Sequence, residues 1–272
     1  MIAHHLLEKE KLLLKTLEKL TSLMVAFSGG VDSTYLLYAA WQVLGDEVVA
    51  ATAVSPIHPA KETAAAEEFC RANGIRQVLI PTDPLSASEF IKNSKGRCYV
   101  CKKQMLAAFF KEAEKTGIPY LAHGANLDDQ NDFRPGLKAA REMGVLAPLA
   151  EAGLSKSDIR ELAKKAGLAA WDKPASGCLA TRLPYGVEIS EAVLSLIERA
   201  EKVLAEAGFS ESRVRYHSGL AKIEVPADDI ERLSTPDVRS QIVKQMRRIG
   251  FQYVALDLEG YESCRLNRPI QG

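Results

Sequence analysis

The stretch Ser28-Gly29-Gly30-Val31-Asp32-Ser33-Thr34 can cradle phosphate. Two adjacent glycines let backbone N–H groups approach phosphate oxygens, and a helix starting here adds partial positive charge. Ser28, Ser33 and Thr34 supply hydroxyls. No lysine follows, which excludes the GxxxxGK[ST] loop. The plainer alternative is a Gly-Gly turn with a serine cap. Further on, Gly124-Ala125-Asn126-Leu127-Asp128-Asp129 ends in neighbouring carboxylates. Such a pair suits Mg2+ held between phosphates; it also suits a polar turn with Asn and Asp caps.

Sulfur chemistry has two candidate places. Cys98 and Cys101 form a CxxC at an expected helix start, either metal-binding or merely two small residues with one facing in. Cys178 follows Gly177 in a stretch rich in Pro, Gly and Ser, a loop expected to be mobile. Lys173 and Arg182 lie close in sequence and would favour its thiolate. A lone cysteine is ordinarily a small buried hydrophobe, but these surroundings do not read as core. Arg213 and Arg215, two apart on an expected strand, share a face and suit bidentate phosphate recognition. Glu224 on the next strand reads as a metal or substrate ligand, or as half of a solvated cross-strand charge pair. Glu201 reads as exposed.

These residues need elements to hold them. Ile2, Leu6, Leu13, Leu17 and Leu20 recur at helical spacing over 2–20. Leu23 to Phe27 is a continuous apolar run, as in a strand buried on both faces, and Ser28-Gly29-Gly30 breaks it. A helix over 31–44, a strand over 48–54, a helix over 60–73 ended by Gly74 and a strand over 78–80 follow. A helix over 98–116 ended by Gly117 and a strand over 119–122 come next. The alternation predicts a doubly wound, mostly parallel α/β sheet. Ligands of such sheets lie at the carboxyl ends of the strands, where both polar stretches fall. Ser155 and Asp158 form a capping box for a helix over 155–166, with Leu154 and Ile159 as a hydrophobic staple.

Prolines and glycines between Trp171 and Gly186 mark a boundary. Beyond it the spacing predicts a helix over 190–207 with Ala192, Val193, Leu196, Ile197, Ala200, Val203 and Leu204 on its core face. Strands over 213–216 and 220–225 around Ser218-Gly219, a helix over 236–249 and a strand over 251–257 complete a smaller α+β domain. The expected organisation is a nucleotide domain over 1–170, a loop over 171–186 carrying Cys178, and a substrate domain over 187–272.

The 272 residues suffice for about two domains. Apolar residues make up 47% and charged residues 26%, a globular mix. Thirty-five basic residues balance thirty-five acidic ones, and the region after 184 has twelve against fourteen. That lacks the basic footprint of nucleic-acid binding, so no stable nucleic-acid partner is expected. No apolar run approaches the roughly 18 residues of a membrane span. The first twenty residues mix charge through their apolar positions, unlike a signal peptide. Five cysteines, an odd number, argue against a disulfide framework. A cytoplasmic setting is therefore expected. Homo-oligomerisation stays open.

The Ser28–Thr34 stretch resembles the PP-loop, SGGxDS, of the N-type ATP pyrophosphatases, which cleave ATP between the α and β phosphates and adenylate a substrate. That resemblance implies ATP on Ser28, Gly29, Gly30, Asp32, Ser33 and Thr34, with Asp32 as a Mg2+-associated carboxylate and adenine near Val54-Ser55-Pro56. Arg97-Cys98-Tyr99-Val100-Cys101-Lys102, Gly124–Asp129 and Pro174–Gly186 resemble the ATP-dependent sacrificial sulfur transferases of the LarE family over essentially the whole chain. Members of that family help build the nickel-pincer nucleotide cofactor of lactate racemase. The resemblance implies a pyridinium mononucleotide substrate whose carboxylate is adenylated, attacked by Cys178 and released as a thiocarboxylate. Position 178 is left as dehydroalanine, in a single turnover. It further implies Arg182, Arg213 and Arg215 on the substrate phosphate, and Asp32, Asp128, Asp129 and Glu224 toward metal. One alternative is a PP-loop enzyme such as a tRNA-thiolating one, with Cys98, Cys101 and Cys178 on an iron–sulfur cluster. A nucleotide-binding regulator without catalysis is a third class, which pyrophosphate release would exclude.

Overall fold

The computed structural model describes residues 2–131, 135–174 and 176–262. In chain order the elements are α1 (Ile2–Leu17), β1 (Leu23–Ala26), α2 (Val31–Leu44), β2 (Val48–Val54), α3 (Ala60–Ala72) and β3 (Arg76–Pro81). Next come α4 (Ser88–Ile91), α5 (Arg97–Thr116), β4 (Leu121–His123), α6 (Pro135–Glu142), α7 (Pro148–Glu151) and α8 (Lys156–Lys165). The remainder is α9 (Glu191–Glu206), β5 (Arg213–His217), β6 (Leu220–Glu224), α10 (Ile230–Ser234), α11 (Pro236–Ile249) and β7 (Tyr253–Leu256). The chain divides into two compact units: one runs to Pro84 and resumes over Gly96–Ser176, the other comprises Leu85–Lys95 and everything from Gly177 on.

The first unit is a parallel sheet in the order β3-β2-β1-β4. Its central strands are apolar on both faces because helices cover both. Leu23 and Val25 of β1, with Val48 and Ala50 of β2, pack with residues of α1, α2 and α8. Met24, Val49 and Ala51 point the other way, into a cluster with Leu106, Phe109 and Ala113 of α5. This is the doubly wound α/β arrangement that the alternation predicts. Parallel strands set every carboxyl end along one edge, and Ser28–Gly30 and Gly124 leave β1 and β4 there. The capping box forms as expected: the Ser155 hydroxyl accepts the Asp158 N–H, and the Asp158 carboxylate accepts the Ser155 N–H. Leu154 and Ile159 are fully buried beside it.

The second unit carries a small mixed sheet, β5-β6-β7. β5 and β6 are antiparallel around Ser218 and Gly219, both at positive φ, a two-residue turn whose twist suits a hairpin. β7 runs parallel to β6 after the crossover through α10 and α11. Leu204, Phe209, Val214, Ile223, Met246 and Phe251 fill the core.

Several expectations need correction. On α9 the buried stripe is Leu194, Ile197, Ala200, Glu201 and Leu204, whereas Ala192 is exposed. The acidic residue takes a core position because an arginine meets it there. The short helices α4, α6 and α7 were not foreseen, because four to eight residues carry too little periodicity to read. The last strand is shorter than expected. Among the described residues no helix is long and apolar enough to cross a membrane.

Candidate active site

In the first unit the turn after β1 is wound around Ser33. The Ser28 N–H donates to its Oγ at 3.3 Å, and that hydroxyl donates to the Gly30 carbonyl at 3.0 Å. Gly29 sits at φ 71°, a conformation glycine adopts without strain. Gly30 is the N-cap of α2 and offers no side-chain acceptor to the first N–H groups of the helix. Those donors and the helix dipole suit an anion. Gly124 is needed for a steric reason: a Cβ there would stand 2.7 Å from the Ser33 nitrogen.

A polar network joins this turn to two other strand and helix ends. Asn126 Nδ2 donates to Asp32 at 3.3 Å, and Lys156 Nζ pairs with the other oxygen of the same carboxylate. Asn126 Oδ1 accepts the N–H groups of Asp128 and Asp129 at 3.0 and 3.3 Å. The Asp129 carboxylate accepts the Asn126 N–H at 3.0 Å, and that of Asp128 the Lys156 N–H at 2.8 Å. Lys173 donates to the Gly29 carbonyl at 3.0 Å and pairs with Glu62 at 2.6 Å. Around the ends of β2 and β4 stand His58, hydrogen-bonded to Ser55 at 3.1 Å, and His123. Burial, then the charge of Lys102, lowers the basicity of both, His123 to about 3. Burial also lowers Lys102 itself to about 8, a cation that gains from an anionic neighbour.

In the second unit Cys178 is half-buried and heads a one-turn helix, Leu179–Arg182. Its carbonyl accepts from the Thr181 N–H at 2.9 Å, the Thr181 hydroxyl at 2.7 Å and Arg182 Nη1 at 3.2 Å. Arg182 is only 2% exposed. Its Nε and Nη2 donate to the two oxygens of Glu201 at 2.8 and 3.1 Å, a bidentate pair. Arg215 donates to the Thr181 carbonyl at 2.7 Å and to Glu224 at 2.9 Å. Glu224 is fully buried and also meets Lys222 at 3.1 Å. The Arg213 guanidinium lies 5.0 Å over the Tyr261 ring and donates to the Ser212 carbonyl at 2.8 Å. Arg182 and Arg215 thus grip the backbone of the Cys178 turn.

No family model matches the chain. An uncharacterized protein of Synechocystis is 40% identical over 247 residues, covering 91% of this chain and 92% of its own length. Pyridinium-3,5-bisthiocarboxylic acid mononucleotide synthase of Lactiplantibacillus plantarum is 35% identical over 263 residues, 96% of this chain and 95% of that one. The chain belongs to the LarE family. An uncharacterized protein of Methanocaldococcus jannaschii is 31% identical over 253 residues, 92% of this chain and 94% of its own.

In this LarE-family chain the structure gathers Ser28, Gly29, Gly30, Asp32, Ser33 and Thr34 with Asp128 and Asp129 at one edge of the first unit. Arg182 and Arg215 are joined to the Cys178 turn in the second, and Arg213 and Glu224 face each other across the β5–β6 register. Val54 ends β2, its side chain exposed. Three expectations are overturned. Glu201 is 7% exposed and neutralises Arg182. Glu224 belongs to a buried ion cluster, not a solvated pair. The turn after Cys178 is not mobile surface loop: Leu179, Ala180 and Leu183 are core residues that anchor it. At the CxxC, in the first turns of α5, Cys98 is exposed and Cys101 half-buried. Cys70 reads as inert, its thiol pushed up to about 12 by burial. Among the described residues no three His, Cys, Asp or Glu side chains are gathered as a metal ion would need. Sequence reasoning missed Lys156 and Glu62, and it assigned Lys173 to Cys178. No spacing rule links a lysine at the start of α8 to a turn 124 residues earlier.

Proposed function

We propose that this protein is an ATP-dependent sulfur transferase acting on a carboxylated pyridinium mononucleotide in nickel-pincer nucleotide biosynthesis. The observation that carries the reading is the near full-length likeness to a synthase whose product holds two thiocarboxylic acids. The uncapped start of α2 suits the phosphates of ATP. Asp32 is the candidate for Mg2+, and Lys156 and Lys173 for the charge that moves to pyrophosphate. Oxide is a poor leaving group, so adenylation first converts the carboxylate to an acyl–AMP. The Cys178 thiolate then attacks the acyl carbon and expels AMP, giving a thioester to the protein. Removal of the Cys178 α-proton breaks its Cβ–S bond. The substrate leaves as a thiocarboxylate, and dehydroalanine stays at 178. A bisthiocarboxylic product needs two such transfers, hence two protein molecules unless the cysteine is restored. A substrate phosphate is assigned to Arg213 and Arg215, with Glu224 holding Arg215 in place. Arg182, buried and taken up by Glu201 and the backbone of the Cys178 turn, orients that turn instead.

The testing experiment separates the two half-reactions. Cys178→Ala should release pyrophosphate from ATP in the presence of substrate and form no thiocarboxylate. Thiocarboxylate formed by Cys178→Ala would end the proposal. A second reading is favoured by the accessibility of Cys98 and Cys101, one helical turn apart on α5. In it these two thiolates bind an iron–sulfur cluster that supplies the sulfur, and Cys178 is spared. Iron in anaerobically purified protein, with loss of transfer in Cys98→Ala, would select that reading.

A further inference from the structure

We infer that Asn93 is a positioning residue for the Cys178 turn. The segment Leu85–Lys95 belongs to the second unit although the chain on both sides of it belongs to the first. What it does there can be read from its bonds. Asn93 is fully buried and sits at φ 53°, a left-handed conformation that asparagine tolerates better than most side chains. Its Nδ2 donates to the Pro184 carbonyl at 2.8 Å. Its own carbonyl accepts the Gly186 N–H at 3.1 Å, and the Ile91 carbonyl accepts the Ile189 N–H at 2.9 Å. Phe90, buried beside it, seats the segment in the core. The chain after Cys178 is therefore held twice: by Glu201 and Arg215 on its first turn, and by Asn93 two residues beyond Arg182. Pro184 has no N–H and Gly186 is at φ 81°. Beyond the turn that the Val187 N–H closes on the Pro184 carbonyl at 3.2 Å, this stretch makes no regular structure, and the asparagine ties that turn down. Asn93 touches no reacting atom; it fixes the path that presents Cys178.

The inference rests on Cys178 as the sulfur donor, and the test separates the two ideas. Asn93→Gly keeps the backbone conformation and deletes the amide; Asn93→Asp keeps the size and deletes the donor. For both, three quantities are compared with the parent protein: pyrophosphate release, single-turnover sulfur transfer, and hydrogen exchange at Gly186 and Ile189. The expected result is pyrophosphate release within about twofold, transfer slowed about tenfold, and faster exchange at both amides, in line with the loss of a buried hydrogen bond. Unchanged transfer, a parallel fall in pyrophosphate release and transfer, or failure of both variants to fold would overturn it. If the parent protein itself transfers no Cys178 sulfur, the functional proposal fails. The exchange rates and the alkylation rate of Cys178 then still report whether Asn93 holds the turn: unchanged values refute the pin, raised values support it.

Discussion

Asp32 stands where the dipole of α2 already favours negative charge, and Lys156 and Asn126 hold its carboxylate in place. Converting it to Asn keeps the Asn126 contact possible and removes the charge. Asp32→Asn is therefore expected to fold normally and to lose most of its Mg2+-dependent pyrophosphate release. Unchanged release would remove Asp32 from the reaction. The arginines demand a distinction that their spacing alone does not give. Arg215 neutralises the fully buried Glu224, and breaking one side of a buried pair costs about 3–5 kcal/mol. Arg215→Ala should lower the urea midpoint sharply, so its effect on substrate binding is confounded. Arg213 is also buried, donates to the Ser212 carbonyl and lies over the face of the Tyr261 ring. Arg213→Ala should weaken substrate binding by about tenfold or more, the worth of one charge-assisted contact, while ATP binding is kept. Equal losses for both ligands in a calorimetric titration would assign it to the fold.

Close approach of β4 to the start of α2 depends on Gly124. Gly124→Ala is expected to push the Ser33 backbone out of place and raise the KM for ATP several-fold. The core of the second unit should be unaffected, which hydrogen exchange on β5 and β6 can check; an unchanged KM would show that the turn yields freely. Strands buried on both faces, such as Leu23–Ala26 and Val48–Val54, were legible because only a parallel sheet covered by helices buries so continuous an apolar run. The Ser155 capping box was legible because its two partners are three residues apart. Glu201 and Lys156 were not, since each is explained by a partner far away in sequence, Arg182 or Asp32. Asn93 escaped for the same reason: a polar residue in a short irregular segment carries no periodic signal, and the carbonyl it meets lies 91 residues on.

Two compact units in one chain divide the proposed chemistry, the phosphate turn in one and Cys178 in the other. The first unit also buries a titratable group. His123, 8% exposed, is held neutral by burial and by Lys102, its ordinary value of 6.5 lowered to about 3. The unfolded chain takes up that proton below about 6.5 and the folded one does not. The stability due to a neutral His123 is thus complete above 6.5 and is lost as pH falls toward 3, about 2 kcal/mol of it between pH 7 and 5. Urea midpoints should drop over that interval, and His123→Gln should flatten the drop; an identical slope in the variant would mean the histidine is charged in the fold. The proposed consumption of the protein is tested most directly by its intact mass after one turnover with ATP, Mg2+ and a carboxylated pyridinium mononucleotide. Conversion of Cys178 to dehydroalanine predicts a loss of about 34 Da, the mass of hydrogen sulfide, mapped to residue 178 and matched by at most one sulfur atom in product per chain. Thiocarboxylate product alongside an unchanged mass and an intact Cys178 would contradict it.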